Sequence, residues 1–466
     1  EEVTGTASGS GKISVVLPCA DEGAYTRQTV MSFCDRTEPE VLQEIIVVDD
    51  GSSPRLTEVL AEVPEHCRLR VLRHEHTLGL MIAKQTGGDA ATGEFIGFFD
   101  CHVAPNVGWH QEMIQLLRAQ PIRLVVPIIT DLDLDTWDER KASAVNSKCY
   151  IDWNCDFMWF EDNSDFIPVV SGGLVATSQL WWRQSGGFDR DMRGWGGENV
   201  DQSLRAWLCG GDIVRSKTSR VAHMWRVPED QRTKAHYTPV RGVDNLGRVA
   251  AAWFDDFAVK FKGGRLRRAQ PNVSALLKIK SDLKCKPFSF WLHRFRKIYR
   301  DGGMLPSEVW KLRSRETGKC VRKQGDKMVL ASCDARSQLF HLANRDPARG
   351  DKCCSGIRLW NSLECFDRLD RDGPLPYFCD ITGHNLNQLY FFDDTGLIRH
   401  GSASGHECLS ANLNPSHGRS GQQYLQREPC SKATHWDRDA PFKPEETELY
   451  ERDALLHGFT EDTPDN

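Results

Sequence analysis

The chain contains no uninterrupted apolar run of the roughly 18 residues that a membrane-crossing helix requires, so no segment is expected to cross a bilayer. Its start, Glu1-Glu2-Val3-Thr4, has neither the basic opening nor the apolar centre of a signal peptide. Positive charge is not in excess: 59 Lys and Arg stand against 65 Asp and Glu, for a net charge of −6. That removes the global electrostatic case for a nucleic-acid partner. The CxxC pairs of zinc modules are missing, and the adjacent pair Cys353-Cys354 makes a poor chelate. Nor is the composition that of a disordered chain, with 40% hydrophobic and 27% charged residues.

What is present is length and cysteine. A chain of 466 residues exceeds one ordinary domain and predicts at least two. Its 16 cysteines point to an oxidising, secretory environment, and the acceptor sequon Asn272-Val273-Ser274 agrees with that. Eight cysteines precede residue 300 and eight follow it, which suggests two oxidised units.

In the first half, apolar runs at 13–17, 44–48, 68–72 and 95–99 read as strands. Segments 26–34, 56–63 and 80–91 between them have helical spacing, which implies βαβ units and a mostly parallel sheet. Ligands of such sheets gather beyond the carboxyl ends of the strands, where Asp49 and Asp100 stand. A basic, aromatic stretch at 288–300 then runs into Asp301-Gly302-Gly303, a linker signal. Beyond it a pattern recurs every 45 residues or so: Cys320, Cys333 and Gln338-Leu339-Phe340; Cys365, Cys379 and Gln388-Leu389-Tyr390; Cys408, Cys430 and His435-Trp436. These three copies resemble a ricin-type β-trefoil lectin. The last segment, 441–466, is acidic and apolar-poor and reads as a solvated tail.

Asp100-Cys101-His102 closes an apolar strand, and residues two apart on an extended chain face the same way. A carboxylate and an imidazole so placed suit a borderline divalent ion such as Mn²⁺, although a capping Asp and a surface His are the commoner explanation of such a pair. His223, at the end of another strand-like run, is the candidate third ligand. In Gly194-Trp195-Gly196-Gly197-Glu198-Asn199 the glycines allow a tight turn against a ligand. Trp195 can stack on a sugar face, and Glu198 can accept from sugar hydroxyls.

Taken in order, several motifs resemble the polypeptide N-acetylgalactosaminyltransferases: Asp100-x-His102, Trp153-x-x-x-Phe157-x-Trp159, Ser171-Gly172-Gly173-Leu174, Trp195-Gly196-Gly197-Glu198-Asn199, Ser219-Arg220-Val221-Ala222-His223, Asn245-x-x-Arg248 and Cys285-Lys286-Pro287-Phe288. The likeness runs from about residue 13 to 437 and includes the lectin half. It implies a GT-A glycosyltransferase fold, a Rossmann-like mixed sheet, at 1–298. A linker at 299–309, an all-β ricin-type trefoil at 310–440 and the acidic tail would follow. It implies UDP-GalNAc as donor, Mn²⁺ on Asp100, His102 and His223, and Ser/Thr peptides or GalNAc-glycopeptides as acceptors. Residence in the Golgi lumen behind an N-terminal membrane anchor would follow from the same likeness.

The resemblance assigns Asp49 to the uridine side and Pro18 to the base. It assigns Gly172, Gly173, Trp195 and Glu198 to the sugar, and Arg226 to the diphosphate beside a loop at 227–241, with Tyr237 as that loop's phosphate contact. It implies the disulfides Cys209–Cys285, Cys320–Cys333, Cys365–Cys379 and Cys408–Cys430. In the lectin half it points to one GalNAc pocket, at Asp367 with Tyr377, His384 and Asn387, since Arg322 and Ser410 stand where the other repeats need the acid. Departures from the pattern are Thr77 in place of an arginine, Val103-Ala104 after the DxH, and Thr218 in place of a cysteine. They keep two alternatives open: a catalytically impaired sugar-binding protein, and the same chemistry with another UDP-sugar.

Overall fold

The computed structural model describes residues 11–141, 143, 145, 148–236, 244–261, 271–300, 303–342, 356–370, 373–381, 385–401, 406–412 and 423–459. The chain divides into two compact units, Glu1–Trp291 and Leu292–Asn466. The division falls earlier than the expected boundary at 298.

The first unit begins with strictly alternating elements: β1 (Ile13–Cys19), α1 (Ala24–Asp35), β2 (Leu42–Asp50), α2 (Leu56–Val59), β3 (Leu69–His74), α3 (Leu80–Ala90) and β4 (Phe95–Phe98). Every residue of β1 is buried, as expected of a central strand covered on both faces. The helix expected over 56–63 is the single turn α2, because the chain must bend again before Pro64. After β4 come β5 (Val103–Pro105), α4 (Trp109–Ala119), β6 (Leu124–Asp133), β7 (Asp138–Glu139), β8 (Lys148–Ile151), β9 (Phe157–Phe160) and β10 (Val175–Ser178). The unit continues with α5 (Gln179–Ser185), α6 (Glu198–Leu208), β11 (Ile213–His223), α7 (Asn245–Trp253), α8 (Ser274–Asp282) and α9 (Phe288–Arg294).

The main sheet has the order β3-β2-β1-β4-β10-β6-β11-β5, with β7 attached to β6. β1 pairs parallel with β2 and β4, and β10 enters antiparallel between β4 and β6. The result is the expected mixed, Rossmann-like sheet. Under its helices Phe33, Phe99 and Trp109 meet with ring centroids 4.8–5.2 Å apart, and the indole N–H of Trp109 donates to Thr37. Three disulfides brace this unit: Cys19–Cys101, Cys34–Cys67 and the expected Cys209–Cys285. Cys149 and Cys155 are buried free thiols. At Thr218, where the resemblance would place a cysteine, the Glu112 carboxylate collects the N–H groups of Lys217 and Thr218 and the Thr218 hydroxyl.

Among its described residues the second unit carries α10 (Arg296–Tyr299) and then twelve strands, from β12 (Val309–Ser314) to β23 (Trp436–Phe442). All described pairings are antiparallel, and the last strand closes on the first. Trp310, Phe340, Phe366, Tyr390 and Trp436, drawn from all three repeats, share one core. Cys320–Cys333, Cys365–Cys379 and Cys408–Cys430 brace the three repeats as expected, an arrangement consistent with the β-trefoil. Cys353 and Cys354 lie outside the described residues.

The expected solvated tail is corrected. Phe442 still belongs to β23, and Glu445–His457 forms α11 with Glu446, Thr447, Leu449 and Tyr450 buried. Glu445, Glu446 and Glu448 fill its first turn and His457 its last, so the acidity that suggested a loose tail matches the helix dipole. The Trp360 indole donates to Glu446, and the Thr447 hydroxyl donates to the carbonyl of Pro306.

Candidate active site

Three strand ends converge beyond the sheet. β4 stops at Phe98, the chain turns through Asp100-Cys101-His102, and β5 begins at Val103. Antiparallel pairing then sets Val103 opposite His223 at the end of β11, and the Met224 N–H donates to the His102 carbonyl at 3.1 Å. This register brings Asp100, His102 and His223 together, each offering a ligand atom within 4.8 Å of the others. His223 Nε2 lies 3.1 Å from Asp100 Oδ2. Burial raises the Asp100 carboxyl, but the His223 hydrogen bond and the charges of His102 and Lys84 outweigh it and leave the group well below the usual carboxylate range. Burial pushes the His223 imidazole down. An ionised carboxylate beside an imidazole that tends to stay neutral is the donor state a divalent cation needs, so the residues present fit one. Among the described residues, the buried Nδ1 of His223 has no hydrogen-bond partner.

Glu22, which the sequence reading passed over, sits beside this trio. Its Oε1 lies 3.3 Å from His102 Nδ1 and accepts from the Arg226 guanidinium, whose Nη2 is itself 3.2 Å from His102 Nδ1. Its signal was available: Glu22 follows β1, whose carboxyl end adjoins that of β4. Arg226 also donates to the carbonyls of Thr233 and Lys234, which ties it to the segment after β11. Tyr237, the expected phosphate contact, lies outside the described residues.

On the other side stand two glycine turns. Gly173 is there because of a close approach: a Cβ on it would sit 2.4 Å from Asp100 Oδ2. Gly197, at φ +97, caps α6 in the left-handed region. The turn is clamped by Asn245, whose side-chain amide donates to the carbonyls of Arg193 and Gly196 at 2.8 and 2.9 Å. Glu198, buried at the head of α6, accepts the Gly196 N–H at 3.0 Å. Beneath it the fully buried Lys84 donates to the Gly172 carbonyl at 2.5 Å and lies 3.8 Å from Glu198 Oε1. Trp195 is 67% exposed, the indole free to meet a ligand.

Asp100, His102, His223, Glu22, Arg226, the Gly172-Gly173 turn, Trp195 and Glu198 line one cavity of about 620 Å³, together with Pro18, Asp50, Thr77, Phe157, Trp159 and Trp225. That volume suits a small-molecule ligand. One expectation is corrected. Asp49 does not reach the cavity: it is fully buried, accepts the N–H groups of Ser52 and Leu56, and pairs with Arg73. Successive strand residues face opposite ways, so its neighbour Asp50 is the one on the wall, where it holds the N–H groups of Leu78 and Gly79. Asp201, the other carboxylate near enough to Glu198 in sequence to be considered as a nucleophile, is buried against Arg205 and the Trp253 indole and is off the wall. With Thr77 on the wall, its hydroxyl donating to the Asp50 carbonyl, Arg226 is the one Lys or Arg lining the cavity among the described residues.

In the second unit, Asp367 accepts from the amides of Asn385 and Gln388 at 2.7 and 2.8 Å, with Tyr377 and Phe378 exposed near it in sequence. Asn387 is exposed, and His384 lies outside the described residues. In the third repeat Ser410 is satisfied by Thr434.

Residues 14–173 match the family model for glycosyl transferase family 2, and residues 164–228 match that for the N-terminal domain of galactosyltransferase. Polypeptide N-acetylgalactosaminyltransferase 14 of Homo sapiens is 26% identical over 462 residues, covering 91% of this chain and 79% of the relative. Polypeptide N-acetylgalactosaminyltransferase 16 of Mus musculus is 30% identical over 331 residues, covering 67% and 58%. A crystal structure of GalNAc-T7 with UDP, GalNAc and Mn²⁺ shares the fold over 92% of this chain and 82% of that one, with a TM-score of 0.57 and 21% identity. Among the described residues no helix is long and apolar enough to cross a membrane. With the DxH, Gly-Gly and Trp-Gly-Gly-Glu motifs drawn onto one cavity, the chain is similar along most of its length to polypeptide N-acetylgalactosaminyltransferases.

Proposed function

We propose that this protein moves GalNAc from UDP-GalNAc to Ser or Thr hydroxyls of polypeptides, with retention at the anomeric carbon, in the Golgi lumen. The observation that carries the reading is the meeting of Asp100, His102 and His223 with the Gly172-Gly173 and Trp195–Glu198 turns around one cavity. Asp100, His102 and His223 would hold a divalent cation, which when bound would supply positive charge against the diphosphate leaving group. Arg226, on the cavity wall beside His102, adds a second positive charge against the negative charge that develops as the sugar–phosphate bond breaks. Glu198, oriented by the Gly196 N–H and by Lys84, accepts from the sugar hydroxyls, and Trp195 covers a sugar face.

Asp201 is sealed behind Arg205, and both Glu198 oxygens have partners, so among the described residues no wall carboxylate is free as a covalent nucleophile on the sugar side. The reading is therefore front-face transfer. The bond from carbon to the acceptor oxygen forms as the carbon–phosphate oxygen bond breaks, and the hydroxyl proton passes to the departing phosphate. The trefoil, through Asp367, would present glycosylated acceptors.

Incubation with UDP-GalNAc, Mn²⁺ and a Thr-bearing peptide, read by mass spectrometry, tests this. The expected result is addition of one N-acetylhexosamine, lost on chelation. GalNAc binding abolished by Asp367→Ala with no peptide modified would replace it with the sugar-binding reading, and a faster reaction with another UDP-sugar would reassign the donor.

A further inference from the structure

We propose that the Cys19–Cys101 disulfide is the positioning element of the cation site: it fixes the Asp100–His102 turn against the end of β1 and, with it, the Glu22 carboxylate. The inference rests on the reading of the cavity as a divalent-cation site.

The argument begins with where hydrogen bonding stops. β1 and β4 pair from Ile13–Phe95 to Val16–Phe98, and the Phe99 N–H still donates to the Val16 carbonyl at 3.0 Å. After that the strands part. β1 continues along β2 as far as Cys19 opposite Asp49, whereas the other chain must cross to β5, which starts at Val103. Two of the three ligands therefore stand on a crossing segment between strands. Asp100, Cys101 and His102 need another restraint to keep a fixed geometry, and metal affinity depends on such outer restraints.

The disulfide supplies that restraint where the ladder ends. Cys101 lies between the two ligands, is 1% exposed, and joins the core formed by Phe33, Phe99 and Val103. Its partner Cys19 is equally buried and stands between Pro18 and Ala20, both on the cavity wall. The Val103 N–H, donating to Thr29 at 3.2 Å, and the Met224 N–H, donating to the His102 carbonyl, hold the far end of the crossing, so the disulfide secures the near end. The same bond restrains the segment leading to Glu22, the carboxylate that touches both His102 and Arg226. One covalent link thereby sets two sides of the site.

The Cys34–Cys67 disulfide provides the control. Cys34–Cys67 closes 33 residues in the same unit and contributes nothing to the cavity wall, whereas Cys19–Cys101 closes 82. Both bonds stabilise the fold, but the proposal assigns Mn²⁺ affinity to one alone.

The test is Mn²⁺ binding to the full chain, followed by electron paramagnetic resonance without donor or acceptor, for the wild type, Cys19→Ala/Cys101→Ser and Cys34→Ser/Cys67→Ser. The expected result is a weakening of about tenfold to a hundredfold in the first variant, the range found when outer-shell restraints on a metal ligand are removed, and wild-type affinity in the second. In turnover, the KM for Mn²⁺ should rise while kcat at saturating Mn²⁺ changes far less. Wild-type affinity in Cys19→Ala/Cys101→Ser overturns the proposal and leaves the cation site standing. Equal losses in both variants also overturn it, by making the effect one of general stability. Failure of the wild type to take up Mn²⁺ overturns both readings. If Cys19→Ala/Cys101→Ser does not fold, wild-type protein is reduced in stages with a phosphine and alkylated. Loss of the Mn²⁺ signal must then track opening of Cys19–Cys101, as mapped by mass spectrometry, and a signal that survives that opening refutes the proposal.

Discussion

The Nε2 of His223 lies 3.1 Å from the Oδ2 of Asp100, although 123 residues separate them in the chain. The contact is a product of strand register, since Val103 and His223 are opposite one another in the β5–β11 pair. It makes the two residues interdependent as ligands. Asp100→Ala and His223→Ala should each lower Mn²⁺ affinity by more than the roughly hundredfold seen for outer-shell changes. Calorimetric titration against wild type measures this, and an unchanged affinity in either variant would remove that residue from the site.

Arg226 is the cavity wall's one Lys or Arg among the described residues, Thr77 standing where a second was expected. Truncation to Ala should therefore reduce kcat by about 10²–10³-fold, the scale for loss of one transition-state charge contact. Arg226→Lys should restore part of it. Steady-state kinetics with unfolding midpoints as controls decide the point.

Asp201 lies off the cavity wall despite its place near Glu198 in sequence. Asp201→Ala leaves the buried Arg205 guanidinium without its carboxylate, so stability should fall by about 3–5 kcal/mol. Denaturant unfolding measures the loss. Turnover per folded molecule should persist, and its disappearance would reopen Asp201 as a nucleophile.

In the second unit, Asp367→Ala should abolish GalNAc binding, whereas Ser410→Ala should leave it unchanged. Titration with free GalNAc should give one site per chain. Binding that survives Asp367→Ala would place the sugar elsewhere.

His341 gives that unit an acid sensitivity. Burial, reinforced by the Arg358 charge, pushes its imidazole down to about 3 from 6.5. Between those values the unfolded chain binds a proton that the folded one refuses, so stability is intact above the unfolded value and is lost as pH falls toward the folded one. The unfolding midpoint of the chain should drop from pH 7 to pH 4, and His341→Leu should reduce that drop. An equal drop in both proteins would assign the effect to other groups.

Much of this was legible in residue order. The apolar runs of β1, β2 and β4 are buried almost throughout, so composition alone marks them as strands, and residues just past their ends mark the ligand side. Asp100, His102 and His223 were readable for that reason. Asp49 was misplaced because two adjacent aspartates end β2, and which of them faces inward depends on the turn whose N–H groups capture it. Glu22 was passed over because its partners, His102 and Arg226, are distant in sequence. The α11 helix was missed because its buried face carries only a few apolar residues, and they pack against groups supplied by the fold.

The sequence by itself determined the two-unit organisation, the alternation of strands and helices, the threefold cysteine pattern and the motifs that mark the family, because each depends on local periodicity and spacing. Only the tertiary structure decided that Cys19 meets Cys101, that Asp50 rather than Asp49 reaches the wall, and that Arg226 rests on Glu22. Those outcomes depend on which strands lie side by side and where their pairing stops, and hydrogen bonding between segments far apart in the chain sets both.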